Sequence, residues 1–209
     1  MQYRKILLLS ACVGLLLSAT SCSSNPRVTR VDSDAQIDLS GRWNDTDVRI
    51  VTRSLIDDCL NSPRVNEFIR QYSAQNGGRR PTVVVGSFRN RSSEHIDTSI
   101  IARNMEISIV NSGMLEFVAG GTTRDELRAE RQDQQSNASE DTAAALANET
   151  GATFMLTGSV NTIVDRAGNT TVRTYFVTAE LTNIETNQRL WMGENSEVRK
   201  VIQQPRNRL

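Results

Sequence analysis

His95 is the only histidine of the chain. It lies in the run Ser92-Ser93-Glu94-His95-Ile96-Asp97, where a carboxylate could orient the imidazole and the imidazole could take a proton from a serine. Relays of that kind are normally assembled from separate elements, and local adjacency argues poorly for one. The run reads instead as a polar loop whose Asp97 caps the following helix. No catalytic residue is assigned. The sequence holds no Cys-x-x-Cys, no histidine pair and no Asp-rich loop with calcium-ligand spacing. Neither Gly77-Gly78 nor Gly120-Gly121 belongs to a phosphate loop ending in Gly-Lys-Ser or Gly-Lys-Thr. No metal and no cofactor are therefore expected. Cys59 sits on an apolar helical stripe and reads as a small buried hydrophobe. Trp43 and Trp191 both read as packing residues, with Trp43 also placed to act as an exposed binding anchor.

The elements that position the loop can be read from periodicity. Val83, Val84 and Val85 are consecutive, uncharged and β-branched, which predicts a strand over Val83–Phe88, buried on both faces and central in its sheet. After the polar residues from Asn90 to Glu94, a helix is expected from near Thr98. Its stripe is Ile101, Met105 and Ile109, and Gly113 ends it. Upstream, Asn44 or Asp45 caps a helix whose core face is Val48, Val51, Leu55 and Cys59, with Asp47 favourably placed in its first turn. Ser62 caps a second helix with Pro63 in its first turn and Val65, Phe68, Ile69 and Tyr72 as its stripe.

Downstream, Leu115–Val118 reads as a short strand. Thr123 and Glu126 have the form of a capping box, predicting a polar helix from Arg124 to Gln134. Ser139 is expected to cap a helix that lays Ala143–Leu146 on the sheet and stops at Gly151. The remainder is strand: Phe154–Val164, a turn at Asp165–Asn169, a strand with Tyr175, Val177, Ala179 and Leu181 on one face, a turn at Glu185–Gln188, and a strand from Leu190 to Val201. The expected fold class is α/β, a single mixed, mainly antiparallel sheet flanked by helices.

The 209 residues suit one domain with appendages. Met1–Lys5 carries Arg4 and Lys5, Ile6–Leu17 is almost wholly apolar, and Ser18–Ser21 is small. That order marks a secretory signal over residues 1–21. The cysteine that follows, Cys22, resembles the lipidated cysteine of bacterial lipoproteins. Cys12 fits that motif better letter by letter, but cutting there would leave an apolar mature start. Residues 22–37 read as a flexible tether with a reach of roughly 20 Å, residues 38–203 as the folded domain and 204–209 as a tail. Without Arg4 and Lys5 the balance of 24 basic and 24 acidic residues becomes 22 against 24, a net charge of −2. That balance recommends no nucleic-acid partner.

Three stretches taken together resemble one family: Asp38-Leu-Ser-Gly-Arg-Trp-Asn-Asp-Thr-Asp47, Val83-Val-Val-Gly-Ser-Phe-Arg-Asn-Arg-Ser-Ser-Glu-His-Ile-Asp97 and Phe154-Met-Leu-Thr-Gly-Ser159. They are similar to the LpoB-like activators of penicillin-binding proteins, whose domain is related in fold to the amino-terminal domain of TolB and to CsgG. The resemblance implies a non-enzymatic, monomeric lipoprotein, anchored in the outer membrane through the lipid on Cys22 and facing the periplasm. Its implied partner is a bifunctional penicillin-binding protein, a peptidoglycan synthase, which it stimulates. Ser23, after Cys22, is not the aspartate of an inner-membrane retention signal. Arg89, Asn90, Arg91, Glu94, His95 and Trp43 are the residues expected to contact the partner. The rival reading is a CsgG-like structural or export lipoprotein that forms an oligomer. It requires long alternating segments beyond those that complete the sheet.

Overall fold

The computed structural model describes residues 28–32, 35–137 and 150–204. The signal, Cys22 and the helix expected after Ser139 lie outside the described residues. Two units divide the chain, Met1–Ala35 and Gln36–Leu209. In the first, residues 28–32 are irregular and exposed. The second holds all the described secondary structure.

Its first helix, α1 (Asp45–Asn61), begins at Asn44, whose side chain accepts the Asp47 amide while the Asp47 carboxylate accepts the Asn44 amide. This reciprocal cap satisfies two otherwise orphaned donors. Helix α2 (Pro63–Gln75) has Ser62 at its cap position, but the Ser62 side chain makes no capping hydrogen bond. Pro63, lacking an N–H, removes one of the donors such a cap would serve. Strand β1 (Thr82–Asn90) leads through the loop to α3 (Thr98–Ser112), capped by Asp97 and closed by Gly113 in the left-handed region, as the spacing predicts. Strand β2 (Glu116–Phe117) follows.

Helix α4 (Gly121–Asn137) starts before Arg124. The Arg124 amide reaches the Gly120 carbonyl and its Nε reaches the Ala119 carbonyl at 2.8 Å, so winding begins at the glycine pair and Thr123 lies inside the helix. Strands β3 (Phe154–Ala167) and β4 (Thr170–Asn183) form a hairpin closed by Gly168 and Asn169, tighter than the expected turn because Gly168 accepts a positive φ. The strand expected from Leu190 to Val201 is two, β5 (Arg189–Asn195) and β6 (Arg199–Gln203), and β4 pairs with both. Asn195 is buried and bonds Ser54 of α1, and it also accepts the Glu197 amide. These bonds draw the chain out of the ladder before Val198 turns inward.

The sheet order is β2-β1-β3-β4-β5, with β6 on β4. β1 is therefore not central; β3 and β4 are, because the long hairpin contributes the most pairing. β1 runs parallel to both neighbours and the other pairs are antiparallel. Helices α1, α2 and α3 cover one face. Leu55, Val65, Ile101 and Met105 join Phe154, Leu156, Tyr175, Val177 and Leu181 in one core. Phe68 closes it edge-on against Phe154, with centroids 4.8 Å apart. Cys59 lies within this core, and burial pushes its thiol up to about 12.

One irregularity in β1 decides what the sheet displays. Val85 pairs with Leu156 but Phe88 pairs with Gly158, so β1 carries an extra residue between them. Such a bulge reverses the in-out alternation downstream. Phe88 consequently enters the core, while Arg89 and Arg91 point to the opposite face. A Cβ on Gly158 would collide with the Phe88 ring and with the Thr178 carbonyl oxygen. Gly158→Ala is therefore expected to destabilise the domain by about 2 kcal/mol. Urea unfolding should show a lower midpoint with an unchanged slope.

Candidate functional site

The loop after β1 is shaped by its own side chains. Asn90 Oδ1 accepts the Ser92 amide at 2.9 Å and its hydroxyl at 2.7 Å, and Asn90 Nδ2 donates to the Glu94 carbonyl at 2.7 Å. Such local bonding is what an asparagine offers a tight turn. Thr98 Oγ1 donates to the Phe88 carbonyl at 2.5 Å, tying the loop's exit to its entrance. Asp97 accepts both the amide and the hydroxyl of Ser99, which hold its carboxyl below the usual range. Ser92 and Asp97 are thus engaged with neighbours other than His95, which stands exposed.

Glu94 turns inward. Its Oε2 accepts the Tyr175 hydroxyl at 2.9 Å and the Trp43 amide at 3.2 Å. Its Oε1 lies 2.5 Å from Arg173 Nη1, as an ion pair rather than an aligned hydrogen bond. Burial, reinforced by the Glu94 carboxylate, pushes the Tyr175 phenol well above its ordinary value. The Trp43 ring packs on Tyr175 with centroids 5.1 Å apart. Arg173 also donates to the Gly41 carbonyl at 2.6 Å.

Directly across the β4–β6 pair from Arg173 stands Lys200. Its ammonium meets Asp47 Oδ2 at 2.6 Å, Asp38 Oδ1 at 2.7 Å and the Arg42 carbonyl at 2.8 Å. The hydrogen bond from Lys200 holds the Asp38 carboxyl below its ordinary value. Burial raises that of Asp47 despite the same lysine. Residues 38–44 thus form a strap, fastened by Lys200 at one point and by Arg173, Tyr175 and Glu94 at the next. Gly41 fits because a side chain there would strike Ile202.

The six residues expected to contact a partner separate into two groups. Arg89, Arg91 and His95 are exposed, and among the described residues neither arginine makes an ion pair or a side-chain hydrogen bond. Asn90, Glu94 and Trp43 are occupied in building the loop and strap. Sequence reasoning missed Lys200, Arg173 and Asp38. The available signal was Arg173, two residues before Tyr175 and so in period with the inward set of β4, since a buried charge requires a partner.

The arginines border a groove of about 270 Å³ on the sheet face opposite α1, α2 and α3, with Ser159, Thr178 and Met192 along it. Among the described residues no group of His, Cys, Asp and Glu side chains is arranged to hold a metal ion.

A family model described as peptidoglycan-synthase activator LpoB matches residues 47–196. No curated protein matches the sequence. Among solved structures, the LpoB C-terminal domain from Salmonella enterica is similar at 16% identity with a TM-score of 0.42, covering 76% of this chain and 99% of that one. The same domain from Escherichia coli is 14% identical with a TM-score of 0.43 and the same coverage. An NMR structure of E. coli LpoB is 14% identical with a TM-score of 0.41, covering 89% of this chain and 87% of that one.

Removing one member of a buried charge cluster strands the rest. Glu94→Ala and Lys200→Met are each expected to cost about 3 kcal/mol in chemical unfolding. In Glu94→Ala the tryptophan emission should also shift toward that of a solvated indole, since Trp43 loses its amide anchor.

Proposed function

The chain belongs to the family of the peptidoglycan-synthase activator LpoB, and from that membership we propose that it is a lipid-anchored periplasmic regulator that binds and stimulates a bifunctional penicillin-binding protein. The family match carries the reading, because it extends from the first turn of α1 to the end of β5 and so takes in every strand of the sheet except β6. The order of basic, apolar and small segments before Cys22 supports export and acylation there, and Ser23, where an inner-membrane retention signal has aspartate, supports a place at the outer membrane with the domain facing the periplasm. Among the described residues no helix is long and apolar enough to cross a membrane.

The chain acts by binding rather than by chemistry of its own. Its lone described thiol is buried and held protonated, and the serine and aspartate flanking His95 are engaged elsewhere. Arg89 at the end of β1, with Arg91 and His95 in the loop after it, supplies the contact, while Glu94, Asn90 and Trp43 hold the loop in shape. The domain acts as a monomer.

A crosslinking pull-down from the native envelope tests this, with the full lipoprotein as bait and Cys22→Ala as control. The expected catch is a bifunctional penicillin-binding protein, recovered less well by the control. Glycan polymerisation by that synthase should then rise several-fold when the lipoprotein is added. Bait recovered only with itself, in large assemblies, would overturn the reading in favour of an export component.

A further inference from the structure

Helices α1, α2 and α3 occupy one face of the sheet, and the other carries the groove that starts at Arg89 and Arg91. Both guanidinium groups are exposed and unpaired among the described residues, and the bulge in β1 is what turns them to this side. The floor is hydroxylated: Ser159 and Thr178 lie 3.0 Å apart, with Asn161 donating to Ser159. The one acid in the groove, Glu180, is neutralised by Arg189 at 2.9 Å. At the far end Met192 is 61% exposed, and Glu194 stands exposed beside it on the same strand.

The registers set the distances. Arg89 pairs with Ser159, Ser159 with Thr178 and Thr178 with Glu194, so these four form a row across four strands. Met192 lies two residues from the end of that row. Three strand spacings and two residues along a strand separate Arg89 from Met192 by about 15 Å, a span covered by four or five residues of extended chain.

We infer that this face receives an extended segment of the partner synthase, with a carboxylate side chain set on Arg89 and Arg91 and an apolar side chain on Met192, roughly four residues apart. The inference rests on the reading of the chain as a synthase regulator and adds where and by what chemistry the partner is held. Unpaired arginines present planar donors suited to a carboxylate. Glu194 repels a second acid at the far end, so the groove also sets the direction of the segment. A second copy of this chain fits less well, because sheets that pack on one another interdigitate apolar side chains and this floor is serine, threonine and asparagine. The exposed stripe Ile100, Ile107 and Val110 of α3 lies on the helical side and takes no part.

The test measures binding of the full lipoprotein to the recovered synthase at low and high salt. Arg89→Glu/Arg91→Glu should bind about 100-fold more weakly and lose most of the salt dependence. Its thermal midpoint should stay that of the parent, as expected of exposed positions. Met192→Ser should bind about tenfold more weakly, and Arg103→Glu, on the helical side, should bind as the parent does. If the charge reversal impairs folding, Arg89→Ala/Arg91→Ala decides, with an expected loss of about tenfold. Parent-like binding by the arginine variants, with the parent still binding and stimulating, overturns the groove alone. A parent chain that binds no synthase overturns both the groove and the regulator reading. A dimer of the parent in light scattering that the charge reversal abolishes would make this face a contact between copies, and would also overturn the inference.

Discussion

Arg173 and Lys200 stand opposite one another on β4 and β6, two like charges on one face of an antiparallel pair. That juxtaposition repels unless acids are brought to it, and both side chains are largely covered, at 14% and 9% exposed. Three carboxylates answer them, each from a different part of the chain: Asp38 from the strap, Asp47 from the first turn of α1 and Glu94 from the loop after β1. Neutralising the two cations therefore fixes three segments against the sheet at once. Trp43 roofs the arrangement on Tyr175, and the strap's carbonyls at 41 and 42 accept from Arg173 and Lys200.

The arrangement also sets the division of labour in the loop. Glu94 is committed to Arg173, Tyr175 and the Trp43 amide, and Asn90 to the turn, so the loop has little freedom to collapse onto its neighbours. The arginines that flank Asn90 are consequently presented rather than absorbed. Their direction comes from β1: one extra residue between Val85 and Phe88 places the phenylalanine in the core and both arginines outside it. Strict period-two alternation from Val83 would have aimed Arg89 at Leu156 and Val160. A bulge thus converts a pair of charges that would be ruinous inside into the cationic end of a solvated groove.

Helix faces were legible in the sequence because three or four large apolar residues repeat on each, and the structure buries Val48, Val51, Leu55, Cys59, Ile101, Met105 and Ile109 as that repeat requires. The inward set of β4 was legible for the same reason, with period two. What escaped were features set by tertiary partners. The break between β5 and β6 depends on Asn195 reaching Ser54, and the early start of α4 on Arg124 reaching Ala119. The central place given to β1 followed from its three valines. Val84, however, owes its burial to the turn at Gly120, whose Cβ position its methyl group already crowds. The charge cluster escaped because Asp47 reads equally well as a helix-dipole residue and Lys200 as an ordinary strand-edge lysine.

The three stretches that carry the family resemblance look different once their contacts are known. In the first, Gly41, Trp43, Asn44 and Asp47 fasten the strap and start α1. In the second, Asn90, Glu94 and Asp97 shape the loop and cap α3. In the third, Gly158 makes room for Phe88. Most of the distinctive residues hold the scaffold, and among the described polar side chains left without a bond are Arg89, Arg91 and His95. A recognisable sequence signature in this fold is accordingly a signature of how the domain is clasped together. The side chains between the clasping residues are free to differ in charge and size without loosening the clasp. Resemblance in the motif identifies the scaffold, and the residues to examine for specificity are those that the motif's own hydrogen bonds leave unused.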